Sequence, residues 1–305
     1  MEERLIRRTD LVERGQERPE RRVGEGGDLL RLRRGVYADA GDWRNSSLDE
    51  QYSLRIAAAA MRLEGWPVFS HESAVRLLGL PSLRPWPETV HIITERSSGG
   101  RSQHGVVRHC LGLEAVDVVR PDGLSCTSPA RTVLDIAVSR TFAEAVVLAD
   151  NVVARYPGAP EDLEELLGFV GTRLRGYRKV RRVLAFADPR SESPGESWSR
   201  VVIRELGFAP PDLQAVVRAD GRVLGRVDFE WTDAGVIGEF DGRAKYERAE
   251  FTAGRTPAEV VIEEKDREDR IRAVRNGFAR WTWADLRDRR RLEAVLTAAG
   301  VPRSR

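Results

Sequence analysis

The amino-acid sequence predicts an α+β protein of several domains. Its 305 residues are about twice the roughly 150 of an average domain, and segments with helical periodicity alternate with segments of period two. Glycine, proline and serine cluster in Ala187–Ser197, where we place a domain boundary. The predicted divisions are an N-terminal segment at 1–44, a mixed middle domain at 45–156, a helical linker at 157–190 and a C-terminal α/β domain at 191–300.

The N-terminal segment has the order of elements of a winged helix. Short helices are expected at Asp10–Arg14 and Pro19–Val23, and Leu29–Ala38 alternates leucine with arginine like a half-buried strand. The residues on the outer face of this strand that we predict to bind DNA are Arg31, Arg33 and Arg34. An N-terminal arm that packs on the next domain explains the same pattern, because few helical residues precede the strand.

The middle segment combines helices and strands. The predicted helices are Leu48–Gly65, Ser70–Pro81, Ser128–Val138 and Phe142–Ala154, and strands are expected between Thr89 and Val118. All four histidines of the chain fall here, namely His71, His91, His104 and His109. None has the close spacing of metal ligands such as HxxxH, so we interpret them as polar or helix-capping residues.

Arginine supplies nearly all of the positive charge. The chain has 50 Lys plus Arg against 48 Asp plus Glu, a net charge of +2. The lysines are Lys179, Lys245 and Lys265. Arginine forms two-pronged hydrogen bonds with phosphate and with guanine, which lysine cannot. A genomic bias toward arginine codons is the simpler explanation of this composition.

The sequence indicates a cytoplasmic protein without a membrane partner. Neither Arg55–Met61 nor Phe142–Ala154 approaches the roughly 18 apolar residues of a membrane span, and no apolar core follows the first charges, as a secretory signal requires. Cys110 and Cys126 cannot form a disulfide framework. The absence of GxSxG, P-loop and dinucleotide-binding GxGxxG motifs disfavours those enzyme classes and a small-molecule cofactor.

Three carboxylates are expected to converge in the C-terminal domain. Arg222–Trp231 and Val236–Gly242 predict two strands of a hairpin. Glu239 and Asp241 share one face of the second strand, and Asp228 lies on the first. Because such acids repel one another, the pattern predicts a Mg²⁺ or Mn²⁺ site. The alternative is a surface ion network in which the acids pair with Arg226, Arg243 or Lys245.

The C-terminal run ESWSR…RVDFEW…VIGEFDG…EEKDREDRIRAVRNGFARWTWADL resembles domains similar to very-short-patch-repair endonucleases, of the PD-(D/E)XK superfamily. The match covers about 193–296 and implies a restriction-endonuclease-like α/β sandwich. It implies that Glu196 is the acid of the leading helix and that Asp228 and Glu239 bind the metal. Asp241 takes the third motif position, where the superfamily usually has a lysine, and Lys245 is the nearest substitute for that lysine.

A basic helix is predicted at about Pro257–Asn276. Its candidate DNA-binding residues are Lys265, Arg267 and Arg270. The functional interpretation is that Lys265 and Arg267 face the carboxylates and orient a phosphodiester. The alternative is a solvated helix with pairs four residues apart, such as Glu263–Arg267.

The front half is similar to AbiEi-type antitoxins of abortive-infection systems. The runs that carry the resemblance are RLRRGVYA, SHESAVRLLGLP, TVHI, GLSCTSPARTVLDIA and EAVVLAD, within about 29–150. The resemblance implies a winged helix joined to a second mixed domain, DNA-binding autorepression and a cognate toxin as partner. The region before the wing is shorter than a full three-helix winged domain.

Three hypotheses about function follow from these patterns. The first is a DNA-acting protein whose C-terminal domain hydrolyses phosphodiesters with Mg²⁺ or Mn²⁺. The second is a non-catalytic DNA-binding transcriptional regulator, such as the antitoxin of a type IV toxin–antitoxin system. The third is a protein-interaction module, and salt-sensitive DNA binding separates it from the other two.

Overall fold

The computed structural model describes residues 2–13, 15, 19–24, 26–94, 102, 104–109, 117–242 and 267–304. It is an α+β fold with three sheets, in agreement with the predicted class. The chain forms two compact units. The first contains Met1–Leu148 and Arg155–Ala185, and the second contains Ala149–Ala154 and Phe186–Arg305. No helix among the described residues combines the length and the apolar character needed to cross a membrane.

A three-stranded sheet opens the first unit. Its order is β1-β3-β2, and the strands are β1 (Leu5–Arg7), β2 (Leu29–Arg33) and β3 (Val36–Asp39). The predicted single strand Leu29–Ala38 is therefore a hairpin, because Gly35 adopts a φ of 74° that reverses the chain. The first predicted helix is α1 (Arg8–Glu13), and the second is a short 3-10 helix at Pro19–Arg22.

Two helices follow this sheet, α2 (Ala40–Asn45) and α3 (Leu48–Ala60). The Ser47 hydroxyl accepts the backbone N–H of Glu50, and the Glu50 carboxylate accepts the N–H of Ser47. This reciprocal cap begins α3 where the sequence predicts it. Leu54, Ala57 and Ala58 of α3 pack on the sheet.

A five-stranded sheet forms the rest of the first unit with its helices. The order of this mixed sheet is β6-β5-β4-β8-β7. The strands are β4 (Val68–Phe69), β5 (Val90–Ile93), β6 (Val106–His109), β7 (Val118–Val119) and β8 (Cys126–Thr127). The helices are α4 (His71–Leu77), α5 (Pro129–Ser139), α6 (Phe142–Arg155), α7 (Ala159–Val170) and α8 (Tyr177–Phe186). Ala149–Ala154 of α6 and Phe186 at the end of α8 fall in the second unit. Burial raises the pKa of the Cys126 thiol to about 12, and Cys110 lies outside the described residues.

The second unit is built on a four-stranded sheet of order β12-β11-β10-β9. Its elements are α9 (Pro194–Glu205), β9 (Asp212–Ala219), β10 (Arg222–Trp231), β11 (Val236–Asp241), α10 (described over 267–272), β12 (Gly277–Thr282), α11 (Trp283–Arg287) and α12 (Arg289–Ala298). β9, β10 and β11 pair antiparallel, and β12 is parallel to β11. The predicted basic helix has ended by residue 272, before Asn276.

Two apolar clusters cover the faces of this sheet. The larger includes Phe229, Phe240 and Trp281 with residues of α9, α11 and α12. The smaller contains Val217, Val227, Ile237 and Ile271. Trp281 is fully buried, and its indole N–H donates to the Ser199 hydroxyl at 2.7 Å. Trp281 thus lies in the core of the domain, and Trp283 starts α11.

Replacement of Gly277 by alanine tests the close contact of β12 with the end of α12. A Cβ at this position meets the Ala299 carbonyl oxygen at 2.0 Å, so one backbone must shift. We expect Gly277→Ala to lower the free energy of unfolding by about 1–3 kcal/mol in urea denaturation. Gly168→Ala is the control, because Gly168 lies in α7 with no atom within 4 Å of a new Cβ. Equal stability of Gly277→Ala and the unaltered protein contradicts this packing.

Candidate functional site

One row of polar side chains crosses the four strands of the second unit. Phe229 pairs with Leu213 on one side and with Gly238 on the other, and Glu239 pairs with Arg280. In the same register, the position next to this one is occupied by Gln214 on β9, Asp228 on β10, Glu239 on β11 and Arg280 on β12. We call these four residues the polar row. The predicted acids Asp228 and Glu239 are therefore neighbours on adjacent strands.

The regular alternation of side chains breaks at Gln214 and Asp228. Leu213 and Phe229 pack in the larger cluster, whereas Ala215 and Val227 pack in the smaller one. Gln214 has a φ of 52°, which is unusual for a residue with a side chain and turns the strand locally. The main-chain pairing of β10 with β11 stops at Phe229.

The Asp228 carboxylate continues the link between the two strands. Its Oδ2 accepts the backbone N–H of Phe240 at 2.9 Å. A carboxylate that accepts a main-chain N–H is held in place and has its charge partly satisfied. Asp228 is half-buried, and this bond aims it across the junction of β10 and β11.

Glu196 meets the row from the first turn of α9. Its Oε2 accepts the backbone N–H of Glu192 at 2.9 Å and the side-chain amide of Gln214 at 2.8 Å. Its Oε1 accepts the Ser193 hydroxyl at 2.7 Å, while the Glu196 N–H donates to that hydroxyl. Glu196 is 8% exposed. Ser193 is thus the N-cap of α9, and Glu196 connects the first turn of this helix to the polar row.

Glu239 is held between two arginines. Arg267 Nη2 donates to Oε1 at 2.8 Å, and Arg280 Nη2 donates to Oε2 at 2.7 Å. Glu239 is 9% exposed. Arg267 also donates to the Arg226 carbonyl oxygen at 2.9 Å, and Arg280 contacts Glu268 at 2.7 Å. We call Arg267, Glu239 and Arg280 the arginine clamp.

The clamp affects the titration of Arg280. Burial alone lowers the pKa of its guanidinium, but the ion pair with Glu239 and the charges of Glu268 and Asp241 raise it above the ordinary value. Asp241 ends β11 and is half-buried. The negative charge of Asp241 favours the protonated form of the Arg280 guanidinium.

Two carboxylates of this arrangement, Glu239 and Glu196, have protein partners without a cation. Both oxygens of Glu239 pair with guanidinium groups, and Glu196 uses both of its oxygens within the protein. In the described part of the chain, no group of three His, Cys, Asp or Glu residues could hold a metal ion. Lys245 and Lys265 lie outside the described residues.

The candidate DNA-binding arginines differ in their surroundings. Arg31 and Arg34 are exposed at the β2–β3 hairpin. Arg33 donates to the carbonyl oxygens of His104 and Gly105, the second at 3.0 Å. Its guanidinium therefore has main-chain partners. Arg270 is exposed on α10.

Three of the four histidines form a cluster in the first unit that sequence spacing did not indicate. His71 begins α4, His91 lies on β5 and His109 on β6. The rings of His71 and His109 stack with centroids 3.6 Å apart, and His91 Nδ1 lies 3.0 Å from His109 Nε2. We call these three residues the histidine cluster. Only the parallel pairing of β5 with β6 and the position of α4 bring them together.

Charged neighbours surround the histidine cluster. Glu72 Oε2 lies 3.6 Å from His91 Nε2, and Glu72 also pairs with Arg140. The rings of His71 and His109 are 13° from parallel, so their in-plane lone pairs do not converge on one point as metal ligands require. Burial lowers the pKa of His71 to about 2 and that of His109 to about 4, and it also lowers that of His91.

We expect the first unit to lose stability as the pH falls below about 6.5. The unfolded chain binds protons at its histidines near the ordinary pKa of 6.5, whereas the buried imidazoles resist protonation. Their contribution is therefore complete above pH 6.5 and declines toward the lowered pKa values. Urea denaturation at several pH values measures the slope. His109→Leu should reduce the dependence of the free energy of unfolding on pH. His104→Leu, which changes an exposed histidine, should leave that dependence unchanged. An unchanged slope in His109→Leu contradicts this account.

A double-mutant cycle tests the arginine clamp. Arg267→Met leaves a largely buried carboxylate with one partner, so the free energy of unfolding should fall by about 1–3 kcal/mol. The double variant Arg267→Met/Glu239→Gln should recover part of this loss. The matched control is the exposed pair of Arg289 with Glu205, whose coupling should stay below about 1 kcal/mol. Equal coupling energies for the two pairs argue against the clamp.

Comparisons with known proteins identify relatives without a described activity. No family model matches this chain. Two curated proteins, each named only as uncharacterized and from two strains of Mycobacterium tuberculosis, are 28% identical over 249 residues. The match covers 78% of this chain and 79% of each relative. A crystal structure of another M. tuberculosis protein is similar with a TM-score of 0.41 and 18% identity, over 64% of this chain and 74% of that one.

Proposed function

We propose that this chain is a DNA-binding regulator of the antitoxin type whose C-terminal domain keeps a nuclease-like arrangement without needing a metal. The arginine clamp is the observation that carries this proposal. Because Arg267 and Arg280 neutralise Glu239, the sheet does not require a cation to hold its acid. Arginines take the place that the sequence assigns to magnesium or manganese.

The distribution of charge supports DNA as the partner. The acids of the polar row are satisfied inside the protein, whereas arginines such as Arg31 and Arg34 point to solvent. Neither of these two has an ion-pair partner among the residues that the structure describes. A surface with such arginines attracts phosphate groups and releases their counterions.

The order of elements supports both resemblances. The β1-β3-β2 sheet with α1 and a short helical turn agrees with an abbreviated winged helix. In the second unit, Glu196, Asp228, Glu239 and the basic α10 follow one another as in the nuclease-like series. A cognate toxin is the protein partner that the antitoxin resemblance implies, and autorepression is the activity it implies.

A Mg²⁺- or Mn²⁺-dependent DNA endonuclease is the second candidate function. The observation that favours it is the contiguity of Glu196, Gln214, Asp228 and Glu239 along one line of the sheet. Glu196, Asp228 and Glu239 are three carboxylates in this line, and packing of the sheet alone does not require acidic side chains there.

Fluorescence anisotropy with a labelled duplex from upstream of the protein's own coding region tests the regulator. We expect binding that persists in EDTA and weakens steeply with salt. Arg31→Gln/Arg34→Gln should lower the affinity about tenfold or more and reduce the salt slope by about two. Arg62→Gln, which changes an exposed arginine of the same unit, is the control. Absence of salt-sensitive binding rejects the proposal and favours a protein-interaction module.

A plasmid-nicking assay decides between the two candidates. The regulator predicts no cutting of supercoiled DNA with Mg²⁺ or Mn²⁺, in the unaltered protein and in Asp228→Ala alike. Metal-dependent cutting that Asp228→Ala abolishes would establish the endonuclease at the polar row. Equal cutting by both proteins points to a contaminating nuclease and leaves the row without a role in hydrolysis.

A further inference from the structure

In the part of the chain that the structure describes, the β9–β10 hairpin extends beyond β11 and β12. β10 pairs with β9 from Arg222 to Glu230, but with β11 only from Phe229 to Trp231. Asp220 and Gly221 form its two-residue turn with φ values of 49° and 76°. Two positive φ values are typical of the tight hairpin turn that matches the twist of the strands. The outer part of the hairpin is therefore a two-stranded ribbon.

One face of this ribbon combines two valines with two arginines. Val216 pairs across the strands with Arg226, and Arg218 pairs with Val223. The register shift between Val223 and Gly225 brings Val223 and Arg226 to the same side. Val216 is 49% exposed and Val223 is 56% exposed. We call Val216, Arg218, Val223 and Arg226 the ribbon face.

The opposite face anchors the ribbon to the domain. Val217 and Val227 are buried against Ile271 of α10 and Ile237 of β11. Arg267 packs against Gly225, where a Cβ would lie 3.1 Å from its guanidinium nitrogen. A ribbon held this way presents its outer face in a fixed shape, which lowers the entropic cost of binding a partner.

The charge of the ribbon is mainly positive. Arg218 and Arg222 are exposed, and neither has an ion-pair partner among the residues that the structure describes. Arg226 forms a two-pronged pair with Glu192 at 2.7 and 2.8 Å, and both side chains are half exposed. Asp220 of the turn is the acid nearest to the tip in sequence. Exposed valines beside Arg218 on the same face, with Arg222 next to the turn, fit an anionic partner with apolar groups in a groove.

We infer that the ribbon binds duplex DNA in the major groove, an inference that rests on the proposed DNA-binding function. The major groove is about 12 Å wide and admits a two-stranded ribbon. Arg218 would contact phosphates or guanine edges, and Val216 and Val223 would contact thymine methyl groups. Arg222 pairs with Ala219 beside the turn, on the opposite face, and would contact a phosphate at the edge of the groove. An apolar protein partner is less favoured, because the arginines alternate with the valines over the whole face.

The test uses the full chain and a labelled duplex of mixed sequence in fluorescence anisotropy. Arg218→Gln/Arg222→Gln should lower the affinity about tenfold or more and reduce the salt slope by about two. Arg287→Gln/Arg290→Gln, which removes two exposed arginines of α11 and α12, is the matched control and should preserve the affinity. Val216→Ser/Val223→Ser should lower the affinity severalfold with little change in the salt slope. Circular dichroism checks that each variant is folded.

The possible outcomes distinguish a failure of the ribbon inference from a failure of the proposed DNA-binding function. If the unaltered protein binds DNA and the ribbon variants bind equally well, the ribbon inference is overturned and the DNA-binding proposal stands. If the unaltered protein does not bind, the proposed function fails and the ribbon inference fails with it. If the valine variant alters the sedimentation of the protein and not its DNA affinity, the ribbon is a protein interface and the inference is wrong.

Discussion

The second unit depends on the neutralisation of Glu239 inside its sheet. A carboxylate that is 9% exposed has lost most of its hydration, and without compensation its burial costs several kcal/mol. Arg267 of α10 and Arg280 of β12 supply that compensation. Because these arginines lie on α10 and β12, the same ion pairs hold the parallel strand and the helix before it to the antiparallel part of the sheet.

Charged side chains of this domain differ in their exposure. Carboxylates such as Glu196 and Glu239 are buried and satisfied by caps, amides and guanidinium groups. Arginines such as Arg218 and Arg222 are exposed on a projecting ribbon. The net charge of the chain is nearly balanced, and the ribbon nevertheless presents exposed arginines. Such a surface attracts the phosphates of DNA at distances within a Debye length.

Sequence patterns predicted most helices and strands, but they did not predict which of these elements contact one another. The helices predicted to start at Leu48 and at Ser128 rest on local signals, and both are present as α3 and α5. The Asp220-Gly221 turn is an equally local signal, and with it β9 could have been predicted. The histidine cluster could not, since α4, β5 and β6 meet only through non-local pairing.

The sequence by itself determined the α+β class and the expectation that Asp228 lies beside Glu239. Periodicity and residue type suffice for these, because strand alternation and capping act over a few residues. Only the tertiary structure decided what neutralises the acids. The partners of Glu239 lie 28 and 41 positions further along the chain, and no local rule relates a carboxylate to a guanidinium at such separations.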